Sequence, residues 1–298
     1  MNVLKALIRR NVKLFFKDKA LFISSLITPL ILLVLYVTFL GKVYRDAFSS
    51  SMPEGVVLPE RLLGGAVGGQ LFSSLLAVCC VTVAFCSNFL IVQDKVSGAK
   101  KDFIMSPVRN SFLALGYFIS AAFAALIICI TASAACLIYI GVTGWYISAA
   151  DMFFIFIDIL LLTLFGTALS SVINFFLTTE GQITAVGTAV SAGYGFVCGA
   201  YMPLSQFGKP LQTVVGFLPG TYGTALLRNH AMKGVFSEML AQGIPADAVD
   251  AIRNTVDCNL YFFGNKVPVS AMYAVLTFSA AALTAVYVLL NRYIKQKN

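Results

Sequence analysis

Apolar residues fall in long blocks along this chain, and each block is about the twenty residues that cross a bilayer as a helix. The blocks cover residues 20–40, 64–92, 111–142, 152–178, 181–202 and 270–291. They predict six transmembrane helices, several long enough to tilt or to extend beyond the lipid. Ahead of them, "MNVLKALIRRNVKLFFKDKA" has the spacing of an amphipathic helix. Leu4, Leu7, Ile8, Val12, Leu14 and Phe15 share one face, while Lys5, Arg9, Arg10, Lys13 and Lys17 occupy the other. Such a helix lies in the membrane interface with its basic face toward anionic headgroups. It serves either as a topology anchor or, in addition, as a rest for a cytoplasmic partner. The first span does not read as a cleaved signal peptide, because its apolar part is too long and no A-x-A site follows.

Composition agrees with the blocks. Hydrophobic residues make up 59% and charged residues 11% of the chain, and the mean hydropathy is +0.86. A soluble domain carries about a quarter charged residues, so the class is an integral membrane protein. In a soluble protein the net charge of +8 would suggest nucleic acid. Here the distribution decides. An inward N-terminus puts Lys5, Arg9, Arg10, Lys13, Lys17, Lys19, Lys95, Lys100, Lys101, Arg109, Arg292, Lys295 and Lys297 on the cytoplasmic side, the heavier share of the basic residues. Six spans with both termini cytoplasmic is the expected topology. No GxxxxGK[ST] stretch occurs, so no phosphate-cradling loop is expected in the chain. Six of the seven cysteines lie in apolar runs and only His230 is a histidine, which argues against a disulfide framework or a metal site.

The connection between the second and third blocks asks for more explanation than a turn does. It reads "DKVSGAKKDFIMSPVR", Asp94 to Arg109. Gly98 can end the preceding helix and Pro107 can reset the chain before the next. Between them Phe103, Ile104 and Met105 stand among charges, an apolar knob of the kind that docks into a groove on another protein. The competing reading is an interfacial turn whose apolar residues dip into lipid. The pattern acid-basic-x-x-Gly, then nine residues on a Pro, a hydrophobic and a basic residue, resembles the type-2 ABC exporter permease family. Asp94, Lys95, Gly98, Phe103, Ser106, Pro107 and Arg109 match it; Lys101 and Asp102 lie inside it. The resemblance implies a coupling helix that contacts a separate ATPase. Ala99 and Lys101 depart from it, standing where a threonine and a glutamate are usual, so the partner's charge opposite Lys101 is not given by the resemblance.

A second stretch, "GAYMPLSQFGKPLQTVVGFLPGTYGTALLR", also resembles the family, with Gly199, Pro203, Pro219, Tyr222 and Arg228 on its pattern. Pro203, Pro210 and Pro219 forbid one continuous spanning helix, so the pieces should enter the outer edge of the bilayer and return, under cover of protein or water. The fold expected is therefore an all-α integral membrane protein. It has an interfacial helix at 1–19, six transmembrane helices within 20–298, a coupling loop at 93–110, and an external re-entrant and cap segment at 203–268. Within the cap, 229–268 is polar. "IPADAVDAIRNTV" there reads as a short helix with Val249, Ile252 and Val256 on one face; it covers an exit or is a passive loop.

Small-xxx-small faces occur in the second block at Gly64/Gly68 and Gly65/Gly69, and in the fifth at Ser191, Gly195 and Gly199. They suit close helix packing within a subunit or between two copies. The resemblance implies that these two spans line a cleft between two permease subunits, identical or different. Phe72, Phe85, Ser191, Tyr194, Phe196 and Tyr201 are then the candidate contacts for an apolar substrate, with helix packing as the ordinary alternative. Asp158 lies about two turns inside the fourth block, either a structural acid or a substrate or proton site. The functional expectation is a cell-membrane permease, of bacterial type, in a multidrug- or antibiotic-export-like complex. Its companion subunits, not this chain, would bind ATP and Mg. The rivals are a proton-coupled secondary transporter using Asp158, for which no internal repeat is visible, and a membrane-embedded enzyme, for which no nucleophile–base pair is visible.

Overall fold

In the computed structural model, residues 3–50, 58–105 and 108–293 are described. The amphipathic start is helix α1, Val3–Lys17. Its buried residues Leu7, Asn11 and Phe15 recur every four positions, the spacing of one helix face. Asp18 caps the next helix, α2 (Lys19–Leu35), by accepting from the amides of Ala20 and Leu21. After Pro29, the chain loosens into a π-helical segment at Tyr36–Leu40 and resumes as α3, Gly41–Ser50. Across it, Tyr36 and Tyr44 stack with ring centroids 5.6 Å apart. Tyr36 donates its hydroxyl to the Val67 carbonyl at 3.1 Å. One wide turn thus aims two aromatic rings at the same neighbour.

That neighbour is α4, Glu60–Asn88, the central helix of the bundle. Around it stand α2, α7 (Asn110–Thr143), α8 (Ala149–Phe176) and α11 (Pro219–Ala241). Its most apolar window is wholly buried. The glycines explain the close approach. A Cβ on Gly64 would stand 2.7 Å from the Thr143 carbonyl oxygen, and one on Gly69 would stand 2.9 Å from the Met232 side chain. The small faces of the second block therefore pack inside one protomer, against α7 and α11.

Past α4 come α5 (Leu90–Val96) and α6 (Ala99–Met105), the two pieces of the expected coupling loop. Five helical stretches are long and apolar enough to cross a membrane: Lys19–Ser50, Glu60–Val96, Asn110–Thr143, Ala149–Phe176 and Val269–Tyr293, the last being α13. The expected fifth block is helix α9, Glu180–Val197, held at its start by a capping box between Thr179 and Gln182. It is 18 residues long and rich in Gly, Ala and Thr, and it does not reach that apolarity.

The downstream segment departs from its predicted boundaries. Leu204–Gln206 is a single 3₁₀ turn and α10 is Lys209–Gly216. From Pro219, however, the chain runs as one 23-residue helix to Ala241. The cap thus starts after α11, not at residue 229. It comprises α12 (Ala246–Thr255), with Val249, Ile252 and Val256 buried as its spacing requires, and the hairpin β1–β2 (Tyr261–Phe262 with Asn265–Lys266).

Candidate functional site

Three helices meet at Asp94. Its carboxylate, 5% exposed, accepts two bonds from the Arg10 guanidinium at 2.6 and 2.9 Å and one from the Tyr117 hydroxyl. Paired parallel N–H bonds to a carboxylate are the strong geometry for this pairing. Arg10 also lies over the Phe103 ring, 5.0 Å from its centre, which ties α6 to α1. Arg10 is therefore turned inward. Lys5, Arg9, Lys13 and Lys17 stay exposed as the amphipathic reading requires, but Arg10 leaves their face to join the loop. Between α1, α6 and α7 lies an apolar groove of about 290 Å³, lined by Val3, Ala6, Leu7, Arg10, Phe103, Val108 and Leu113.

Lys95, next along, reaches the far side. Its ammonium donates to the carbonyls of Asn174, Phe175 and Leu177 at 2.9, 2.7 and 2.9 Å. These oxygens end α8, where unpaired carbonyls and the helix dipole favour a cation. Gly98 then takes φ +83°, a left-handed turn that lets α6 start at once in a new direction. On α6, Lys100 is buried, and burial pulls its ammonium down to about 8 against the opposing pull of Asp94. Lys101 and Asp102 face outward, Phe103 is half-buried, and Met105 is 78% exposed. Arg109 caps the start of α7 and is exposed. Ser106 and Pro107 lie outside the described residues. The predicted loop is thus a short charged helix whose root is fastened to α1, α7 and α8.

The second motif also assembles. Arg228, 1% exposed, bonds to the Gly199 carbonyl, to Ser74 at 3.4 Å and to Asp257 at 3.2 Å. Asp257 in turn accepts from the amides of Leu204 and Ser205 at 2.6 and 3.3 Å, just after Pro203. Burial raises this carboxyl above its ordinary value, while Arg228 and the two amides oppose the rise. Tyr222 donates to the Gly216 carbonyl at 2.6 Å, and Pro219 occupies the first turn of α11. Sequence reasoning missed Asp257. Its one signal is an acid following a short helix in "NTVDCNL".

The six candidate cleft residues separate. Phe72 and Phe85 lie in the core, at 0% and 2% exposure, and reach no surface of this chain. Ser191 and Tyr194 are half-buried, Phe196 is exposed, and Tyr201 packs edge-on against Phe196 at 5.1 Å. Phe196 and Tyr201 open onto a cavity of about 410 Å³ shared with Phe39, Val43, Tyr44 and Ile252. Asp158 is fully buried and bonded at 2.6 Å to both His230 and Tyr273. His230 was expected in an external polar segment; it instead lies on α11 inside the bundle.

The fold and the two fastened motifs define a multi-pass membrane protein of the ABC permease class. The profile of the ABC-2 type transporter family matches residues 2–231, most of the chain, and the chain belongs to that family. Membership implies association with ABC ATPase subunits. No curated protein matches the chain.

Proposed function

We propose that the chain is the membrane-spanning permease subunit of an ABC exporter, in which two permease copies, alike or different, enclose a cleft for a hydrophobic or amphiphilic substrate. In this reading α9 is the sixth span and both termini are cytoplasmic. The stretch from Pro203 through α11 enters and leaves the outer leaflet. Separate ATPase subunits bind ATP and Mg, and this chain performs no covalent chemistry. When they close they press on α6. The fastenings at Asp94 and Lys95 pass that displacement to α1, α7 and α8 together. The requirement is that ATP favours one conformation by differential affinity.

The observation that carries the reading is the surface of α9. Elsewhere, exposed helix faces are large and aliphatic: Ile23, Ile27, Leu30, Ile31 and Val34 on α2, and Phe123, Ile127 and Ile130 on α7. Lipid suits those side chains. On α9 the exposed residues include Gln182, Thr184, Ala185, Thr188, Ala189 and Ala192, and Gly195 is its one buried residue. A small, hydroxyl-bearing face supports contact with another protein surface or a wet cleft more than contact with acyl chains.

Single cysteines at Ala185 or Ala189 test this. Under mild oxidation of native membranes they should form a disulfide dimer whose yield changes with a non-hydrolysable ATP analogue, while Val34→Cys should stay monomeric. Failure of the α9 positions to crosslink, together with full transport by a preparation free of ATPase subunits, would refute the proposal.

A further inference from the structure

Asp158 is nine residues into α8, about 13 Å from its start. Its two oxygens are taken by different helices: Nδ1 of His230 on α11 meets one at 2.6 Å, and the Tyr273 hydroxyl on α13 donates to the other at 2.6 Å. A carboxylate has no proton to give, so Nδ1 is the donor. The geometry therefore assigns neutral His230 to the Nδ1–H tautomer and leaves Nε2 as its free base. The imidazole is 9% exposed, so its edge meets the surface. Phe154 lies almost parallel to it, with centroids 5.1 Å apart and planes at 14°.

Charge explains what this arrangement can do. With His230 neutral, the three groups hold one net negative charge on a fully buried carboxylate. With His230 protonated they hold none, and the ring face of Phe154 is a partner for the cation. A buried net charge is costly, whereas a bonded ion pair is less so. Among the described residues, the other polar groups facing the cluster are committed. On its α8 side Asp151 pairs with Lys233 of α11 at 3.2 Å. Arg228, also on α11, is held by Asp257. On α4, Cys80 bonds to the Ile159 carbonyl. From α13 only Tyr273 faces it.

We propose that Asp158, His230 and Tyr273 form a proton-binding site, with Nε2 of His230 taking up the proton, and that the bound proton tightens the grip of α8 and α13 on α11. Because α11 carries Arg228, which holds the Gly199 carbonyl at the end of α9, the site communicates with the proposed cleft. The second part rests on the permease reading; the site itself does not.

The single histidine makes the test direct. In the complex labelled with ¹⁵N-histidine, one imidazole pair should show the Nδ1–H tautomer at high pH and titrate between about pH 5 and 8, the range of histidine. Asp158→Asn should displace that titration. ATP-driven turnover should change by about fivefold or more across the same range, an ordinary coupling strength, and His230→Asn, which keeps an amide donor near Nδ1, should flatten the profile. An imidazole that does not titrate, or an unchanged turnover profile in folded His230→Asn, would overturn the proposal. Titration in a preparation without ATP-driven turnover would sustain the site and count against the permease reading instead.

Discussion

Substituting Asp94 by Asn asks whether α1, α5 and α7 move as one body. The wild-type carboxylate takes two guanidinium bonds and one phenol bond. Bonds to a charged group contribute about 1.5–3 kcal/mol each. The Arg10 side chain is 31% exposed, so water replaces part of what it loses. After that discount the pair is worth about 2 kcal/mol. Asp94→Asn should therefore lower unfolding stability by about 2 kcal/mol, and Arg10→Gln by a similar amount. Because both remove the same contact, the double variant should fall short of their sum by about 1–2 kcal/mol. Denaturant unfolding of the purified chain in detergent, followed by intrinsic fluorescence, gives the cycle. Transport per ATP hydrolysed should drop in both single variants while ATPase subunits remain bound. Additivity within about 0.5 kcal/mol would refute the shared anchor. Intact coupling would refute its role in force transfer.

Two further outcomes follow from the packing. A Cβ on Gly234 would lie 1.7 Å from the Tyr146 carbonyl oxygen, so Gly234→Ala must push α11 off the α7–α8 connection; a loss of about 1–3 kcal/mol is expected in the same unfolding assay. Arg228→Met leaves Asp257 buried without its cation and should cost about 3–5 kcal/mol, and Arg228→Met with Asp257→Asn should recover part of that. Thermal unfolding of the three variants ranks these effects.

Much of this architecture was legible before the structure. Helical spacing alone placed Leu7 and Phe15 on the buried side of α1, and Val249, Ile252 and Val256 on that of α12. Five long apolar stretches emerged as helices. What the sequence hid has physical causes. A central helix and a lipid-facing one are both apolar all round, so nothing in their composition said that α4 is enclosed and that Phe72 and Phe85 are core. Arg10 is indistinguishable from Arg9 until its partner 84 residues away is in place. The same holds for His230 and Tyr273, which find Asp158 across 72 and 115 residues. The α11 boundary was missed because its polar residues, Arg228 among them, read as solvent-facing, whereas burial in the bundle satisfies them.

The slight anchoring of α9 has a consequence for motion. A helix wedged among neighbours can tilt only by repacking all of them, which is why the enclosed α4 is a poor moving part. α9 leans on α4 and α5 along a single side, with the Phe89 ring close against Gly187 and the Tyr201 ring against Gly195. Swinging it about those two pivots disturbs few side chains, so the rest of the bundle can act as a stationary frame while one wall gives way.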